Sequence, residues 1–221
     1  MKKLHQKTNS LILLGCLIYL SQNLSAQSIE KYYVNMPDAL NPTLSKQNRL
    51  ELLEYFKAGQ GDSIINRLGN KSRILSFDTL SQRLLIRNTA ISTFDMKILV
   101  PDDQTMAIGI IRTVCGPICL STVEFYDTAW NRLPIQFDMP RAIDWVDKGS
   151  IAKENVDAKW VENVLENSFI SLSFDSKDQL IHAKNNSMEF VSDEDRKLIS
   201  PLVVDKTLLF RLVQRKWIPE P

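Results

Sequence analysis

Between residues 72 and 126, apolar and polar positions alternate in short runs separated by turn residues, which predicts antiparallel strands in succession. Strands are expected at 72–77, 83–87, 93–100 and 106–114, with another running from Ser121. In the third run Phe94, Met96 and Ile98 alternate with Asp95 and Lys97, the pattern of one buried face. The fourth run differs. Ile108 and Ile110 point one way and Ala107, Gly109 and Ile111 the other, so both faces are apolar and the strand should be central and covered on both sides. Val123 and Phe125 then share a face opposite Thr122, Glu124 and Tyr126, and Gly116-Pro117 supplies the turn between the two strands.

Helical spacing appears where alternation stops. Tyr32 and Tyr33 lie in a lead-in at 28–35 and should pack onto the domain. Asn48 and Glu51 form a capping-box pattern ahead of Leu50, Leu53 and Phe56; Ser45 is an alternative start, and Gly59 and Gly61 end the helix. Residues 134–149 are irregular, with Pro134 and Pro140 breaking any long element. A second helix is expected at 155–165, carrying Val156, Trp160, Val161, Val164 and Leu165. Strands at 169–175 and 179–184 should form a hairpin. Ser192, boxed by Asp195, opens a short helix that stops before Pro201, and residues 207–217 read as one final strand.

The two halves repeat in order. LSFDTLSQRLLIRN at 75–88 and DQTMAIGIIRT at 103–113 match LSFDSKDQLIHAKN at 172–185 and DKTLLFRLVQR at 205–215, each set following a helix. The expected fold is α+β: an antiparallel sheet with helices packed on it, in two similar helix-plus-sheet halves at about 37–133 and 150–217 within a single domain at 27–221. By architectural analogy alone this is β-lactamase-inhibitor-like.

The first 26 residues are read as a signal peptide, not as part of the fold. Lys2, Lys3 and Lys7 precede an apolar run at 11–20, and Leu24-Ser25-Ala26 offers a cleavage site before Gln27. Leu13-Leu14-Gly15-Cys16 resembles a lipoprotein box, making an anchored form through Cys16 the minor alternative. Removing those residues takes away three of the 27 basic side chains and no acids, leaving 24 against 26. No cluster of Lys or Arg stands out and no later segment has transmembrane length, which argues against nucleic acid and against a membrane span in the mature chain.

Chemistry is sparse. Cys115 and Cys119 should face each other across the turn and form a structural disulfide, in keeping with export. CGPIC differs from the redox motif CGPC by one inserted residue, and the sequence after it alternates like a strand instead of opening a helix. The mature chain has one histidine, His182, with no nucleophile motif beside it. Asp193-Glu194-Asp195 lacks the spacing of a calcium loop and suits a helix N-terminus, and Asp102-Asp103 lies in a turn. No metal site, cofactor or catalytic residue is expected. Tyr126, Asp127 and Trp130 are the candidate contact patch for a protein or glycan partner.

MPDALNPTL at 36–44, the R-L-x-L-L pattern at 49–53 and FYDTAW at 125–130 resemble a secreted Bacteroidales family classed as a domain of unknown function, along the whole mature chain. The resemblance implies export, to the periplasm or beyond, and supplies no catalytic residues. The expectation is an exported, non-enzymatic binding or envelope-accessory module. The alternative is a hydrolase with a carboxylate site the sequence does not identify.

Overall fold

The computed structural model describes residues 28–101 and 105–220. The signal-peptide reading of 1–26, lipidation at Cys16 and the turn at Asp102-Asp103 all fall outside those residues. Strands β1 (Ser63–Ile65), β2 (Lys71–Asp78), β3 (Arg83–Thr89), β4 (Ser92–Leu99), β5 (Ala107–Cys115) and β6 (Cys119–Tyr126) form an antiparallel sheet in chain order. Helices α1 (Ile29–Asn35) and α2 (Lys46–Lys57) cover one of its faces. There Tyr33, Leu52 and Leu53 meet Ile74, Leu84, Ile86, Phe94, Met96, Ile108 and Ile110.

The start of α2 falls at the alternative cap and not at Asn48. Ser45 is the N-cap: its hydroxyl accepts from the Asn48 amide at 3.1 Å, and the Asn48 side chain accepts from the Ser45 amide at 3.3 Å. Asn48 thus occupies the third helical position, which Glu51 was expected to fill. Arg49, in the first turn of α2, is fully buried. Its guanidinium donates to the carbonyls of Leu44 (2.7 Å), Val34 (3.3 Å) and Met36 and pairs with Asp38 at 3.0 Å. The Pro-flanked stretch at 36–44 is wrapped around that cation, because its unpaired carbonyls need a donor away from water.

A second antiparallel sheet, in the order β10-β9-β8-β7, lies against the other face. It comprises β7 (Ile170–Phe174), β8 (Leu180–Asn185), β9 (Leu208–Val213) and β10 (Lys216–Pro219). Between the sheets Leu99, Ala107, Ile111 and Phe125 pack with Ile170, Leu172, Phe174, Ile181, Phe210 and Trp217. The two-faced apolar pattern of β5 has this cause: one face sits under helices, the other under a sheet. Gly109 is the point of closest approach. A Cβ there would lie 2.5 Å from Cζ of Phe174.

Three further expectations are corrected. Asp95 and Lys97 are not on a solvent face; each is only 2% exposed, because that side of β4 lies under the second sheet. The final strand is a hairpin, β9 and β10, reversed at Gln214-Arg215 with φ of 46° and 65°. Both residues adopt the left-handed region that a tight two-residue turn requires, without the Gly or Asn that normally announces it. The helix expected at 155–165 is shorter, α4 (Ala158–Val164) capped by Asp157, and is preceded by α3 (Lys148–Lys153). Asn155, at φ 51°, separates them. With α5 (Asp193–Ile199), capped by Ser192 as expected, they bury Ala142, Val161, Leu165, Val191, Ile199 and Leu202 in a helical cap.

The fold is therefore α+β with two antiparallel sheets and a few helices. The hairpins β2–β3 and β7–β8 share a register around their LSFD ends: Phe77 opposes Leu84 as Phe174 opposes Ile181. Asp78 and Asp175 each accept amides of the following turn. Beyond the hairpins the halves diverge, since β3 pairs next with β4 whereas α5 intervenes before β9 reaches β8.

Candidate functional site

A group of ionisable side chains lies where the sheets meet, and it serves the backbone. Strand β7 is an edge strand, so alternate amides lack a ladder partner. The first sheet supplies them. Leu172 N donates to the Ser121 hydroxyl at 2.9 Å and Phe174 N to the Asp95 carboxylate at 3.1 Å. Asp95 is held in turn by Arg83 through Nε (2.9 Å) and Nη2 (2.8 Å). Lys97 Nζ donates to the carbonyls of Asp175 (2.6 Å) and Asp178 (2.7 Å), fastening the β7–β8 turn. Burial pulls the Lys97 ammonium below the usual lysine range, with the nearby Asp175 carboxylate opposing that shift. Amides of the same turn, Asp178 first, hold the Asp175 carboxyl below the usual carboxylate range. His182 Nε2 lies 3.2 Å from that carboxylate. This arrangement clamps the two sheets together.

The residues singled out from sequence fall elsewhere. Cys115 and Cys119 are paired opposite one another in the β5–β6 register and joined by a disulfide, with Cα atoms 4.0 Å apart. They close a hairpin and not a helix N-terminus. Tyr126 is buried on the helix-covered side; its hydroxyl donates to Glu124 at 3.0 Å, and its ring centroid lies 6.0 Å from that of Trp130. Glu124 also accepts from Arg112 at 2.6 Å, and Arg112 reaches across to the Leu40 carbonyl. Burial pushes the Glu124 carboxyl up, but these hydrogen bonds outweigh it and leave it below its ordinary value. The Asp127 carboxylate accepts from the amides of Ala129 and Asn131, both at 2.8 Å, and so shapes the turn that follows β6. Trp130 is half-buried at φ 69°.

One concave site on the helical cap had no signal in the sequence. A notch of about 290 Å³ opens beside Trp145, between the end of β8 (Lys184, Asn185), Met188, Arg196 of α5 and Lys206. The indole of Trp145 donates to the Lys206 carbonyl at 2.7 Å, and Val204 N donates to the Trp145 carbonyl at 2.8 Å. These two bonds fix the wall that contains Val203 and Val204. Three cations and one acid, Asp205, line the notch. Arg196 spends Nη2 on the carbonyls of Val191 (2.9 Å) and Glu189 (3.3 Å), and its Nε is shielded without an acceptor among the described residues. Asn185 accepts from Ser187 N at 2.9 Å, while its Nδ2 is likewise shielded and unpaired. These residues come from four separate segments, so no spacing in the chain could have announced them.

By fold this is a two-sheet α+β domain with helices on one face and a helical cap. The chain belongs to the family described as "Protein of unknown function (DUF3256)", which matches residues 21–217. It is similar to a solved structure titled "Structure of a domain of an uncharacterized protein from Porphyromonas gingivalis W83". The TM-score is 0.70 at 20% identity, covering 87% of this chain and 98% of that one. At that identity the likeness speaks to fold alone. No curated protein matches the chain.

Proposed function

We propose that this chain is an exported, non-enzymatic binding module whose recognition site is the notch on the helical cap. The observation that carries the reading is a contrast in how charge is used. At the sheet interface Arg83, Asp95 and Lys97 are committed to one another and to main chain, whereas Lys184 and Lys206 line a concavity with no ion pair to another described residue. A carboxylate hydrolase would need two acids converging on one cavity; the notch offers Asp205 alone, while Glu162 with Glu166 and Glu154 with Asp157 line two separate clefts of the helical cap. Export is supported by the basic-apolar N-terminus together with a disulfide, which persists in oxidising compartments. Among the described residues no helix is long and apolar enough to cross a membrane.

Two measurements test this. The mass of the protein recovered from cells should place its N-terminus at Gln27; a chain retaining residues 1–26 would refute export by this signal, and an acylated Cys16 would make it an anchored lipoprotein. Crosslinking in intact envelopes should recover a reproducible partner that is lost when the notch wall is altered by Val204→Asp. Recovery of no partner, or of one indifferent to that change, would refute the assigned site.

A further inference from the structure

We infer that strand β6 accepts a short extended peptide as an added strand, hydrogen-bonded to the main chain of Val123. This surface shares no residue with the notch and does not depend on it. An edge strand turns alternate N–H and C=O groups away from its sheet, and folded chains cover them. Along β7 the amides of Leu172 and Phe174 are taken by Ser121 and Asp95. Along β10 the Gln136 carbonyl accepts from Trp217 N at 2.9 Å, and β1 is only three residues long. Strand β6, with eight residues, is the longest of the four edges, and its cover is incomplete. At its C-terminal end Asp127 N donates to the Asn131 carbonyl at 2.9 Å, and Leu133 N donates to the Phe125 carbonyl at 2.8 Å. At its N-terminal end the Cys119 carbonyl accepts from Asn186 Nδ2 at 3.1 Å. The odd-numbered residues of β6 therefore turn their main chain outward, and Val123 is one of them. Its N–H and C=O have no hydrogen-bond partner among the described residues. The chain does not extend the cover that far, because after Leu133 it turns inward and buries Ile135 between the sheets.

What remains is a groove of about 430 Å³ lined by Thr122, Val123, Glu124, Arg132, Phe137 and Met139. Thr122 and Glu124 belong to one face of β6 and Val123 to the other, so the groove follows the edge of the strand. A donor and an acceptor presented together at strand spacing are completed by another main chain in extended form. A guest residue opposite Val123 exchanges two hydrogen bonds with it in the antiparallel sense and puts its side chain on the same face, beside Phe137 and Met139. That residue is apolar. The next guest residue lies alongside Thr122, on the face of Arg112, which opposes Thr122 in the β5–β6 register. There Arg112 and Arg132 set two positive charges against Glu124. Arg132 is 72% exposed and touches Glu124 only at 3.5 Å, which leaves it able to meet a second acid. The occupant is therefore an extended segment of a partner polypeptide in which an acidic residue follows an apolar one.

Titration of the nitrogen-labelled protein with the blocked peptide acetyl-Thr-Val-Glu-Thr-amide, followed by NMR, tests the inference. The Val123 amide should exchange freely with solvent in the unliganded protein, and added peptide should shift its resonance saturably and slow its exchange. The same peptide N-methylated at valine should not bind, because it has lost the donor to the Val123 carbonyl. Replacing the peptide glutamate by lysine should weaken binding about fivefold, the upper end for one exposed ion pair, and Arg132→Glu should reverse that preference. The Arg132 side chain is exposed, so this variant should melt with the wild type. A Val123 amide already protected in the free protein, no saturable shift, equal binding of the N-methylated peptide, or a charge preference indifferent to Arg132→Glu would each overturn the assignment. None of these changes touches the notch, so failure here leaves the binding-module reading to its own crosslinking test.

Discussion

Gly109→Ala is the most direct test of how the two sheets meet. The added methyl would sit 2.5 Å from Cζ and 3.2 Å from Cε1 of Phe174, and 3.1 Å from Cδ1 of Leu99. Carbon atoms pack at about 3.5–4.0 Å, so the ring must retreat by roughly 1 Å. It has little room to do so. Phe174 is 1% exposed, and its amide is tied to Asp95. Overpacking a closed core costs about 1–3 kcal/mol, and this contact belongs in the upper half of that range. Replacing glycine removes freedom from the unfolded chain and returns about 0.4–1 kcal/mol, since the backbone here suits any residue. The net expectation is a loss of about 2 kcal/mol. For a chain of this size that lowers Tm by roughly 4–8 °C, measurable by calorimetry and by the urea midpoint. The partner substitution makes the test specific. Phe174→Leu alone should cost about 1–2 kcal/mol through lost burial. Combined with Gly109→Ala it should cost less than the sum, with a coupling of about 1 kcal/mol or more. A Gly109→Ala protein that melts with the wild type, or strict additivity in the double variant, would refute the contact and with it the packing of β7 on β5.

Asp95→Ala should destabilise by about 3–5 kcal/mol, because it strands the Arg83 guanidinium and the Phe174 amide in the interior; Asp95→Asn, which keeps an acceptor, should cost less in urea unfolding. Reducing Cys115–Cys119 should cost at most about 2 kcal/mol, the entropy of a very small ring, and the non-reduced protein should show no free thiol at these positions on alkylation. Stability should fall in acid partly through Asp175. Its folded pKa lies below the unfolded value of 3.8, so the contribution is fully present above that pH and is lost as pH drops through the folded value. Asp175→Asn should flatten that part of the urea-midpoint profile, and an unchanged acid limb would refute the assignment.

Much of the architecture was legible from local pattern, because period-two alternation and caps such as Ser192 act over a few residues. The meander from β2 to β6, the two-faced character of β5, the opposition of Cys115 and Cys119, and the shared register at the LSFD turns needed no knowledge of distant contacts. Local pattern is silent where the physical cause is remote. Asp95 and Lys97 looked like solvent residues because alternation marks a polar position without saying whether water or another backbone satisfies it. Here the unpaired donors and carbonyls of β7 and its turn, almost eighty residues away, do so. The β9–β10 reversal was missed because Gln214 and Arg215 take up positive φ without glycine or asparagine.

The chain alone thus determined its α+β class, its strand order through the meander and its disulfide, since each follows from neighbours in sequence or from a single turn. Tertiary structure decided that a second sheet covers the first. It also decided that interior charges act as clamps, and that Lys184, Asn185, Arg196 and Lys206 share one wall. A concave wall of this kind is a meeting of segments, and its charge and shape exist only once those segments have been packed together.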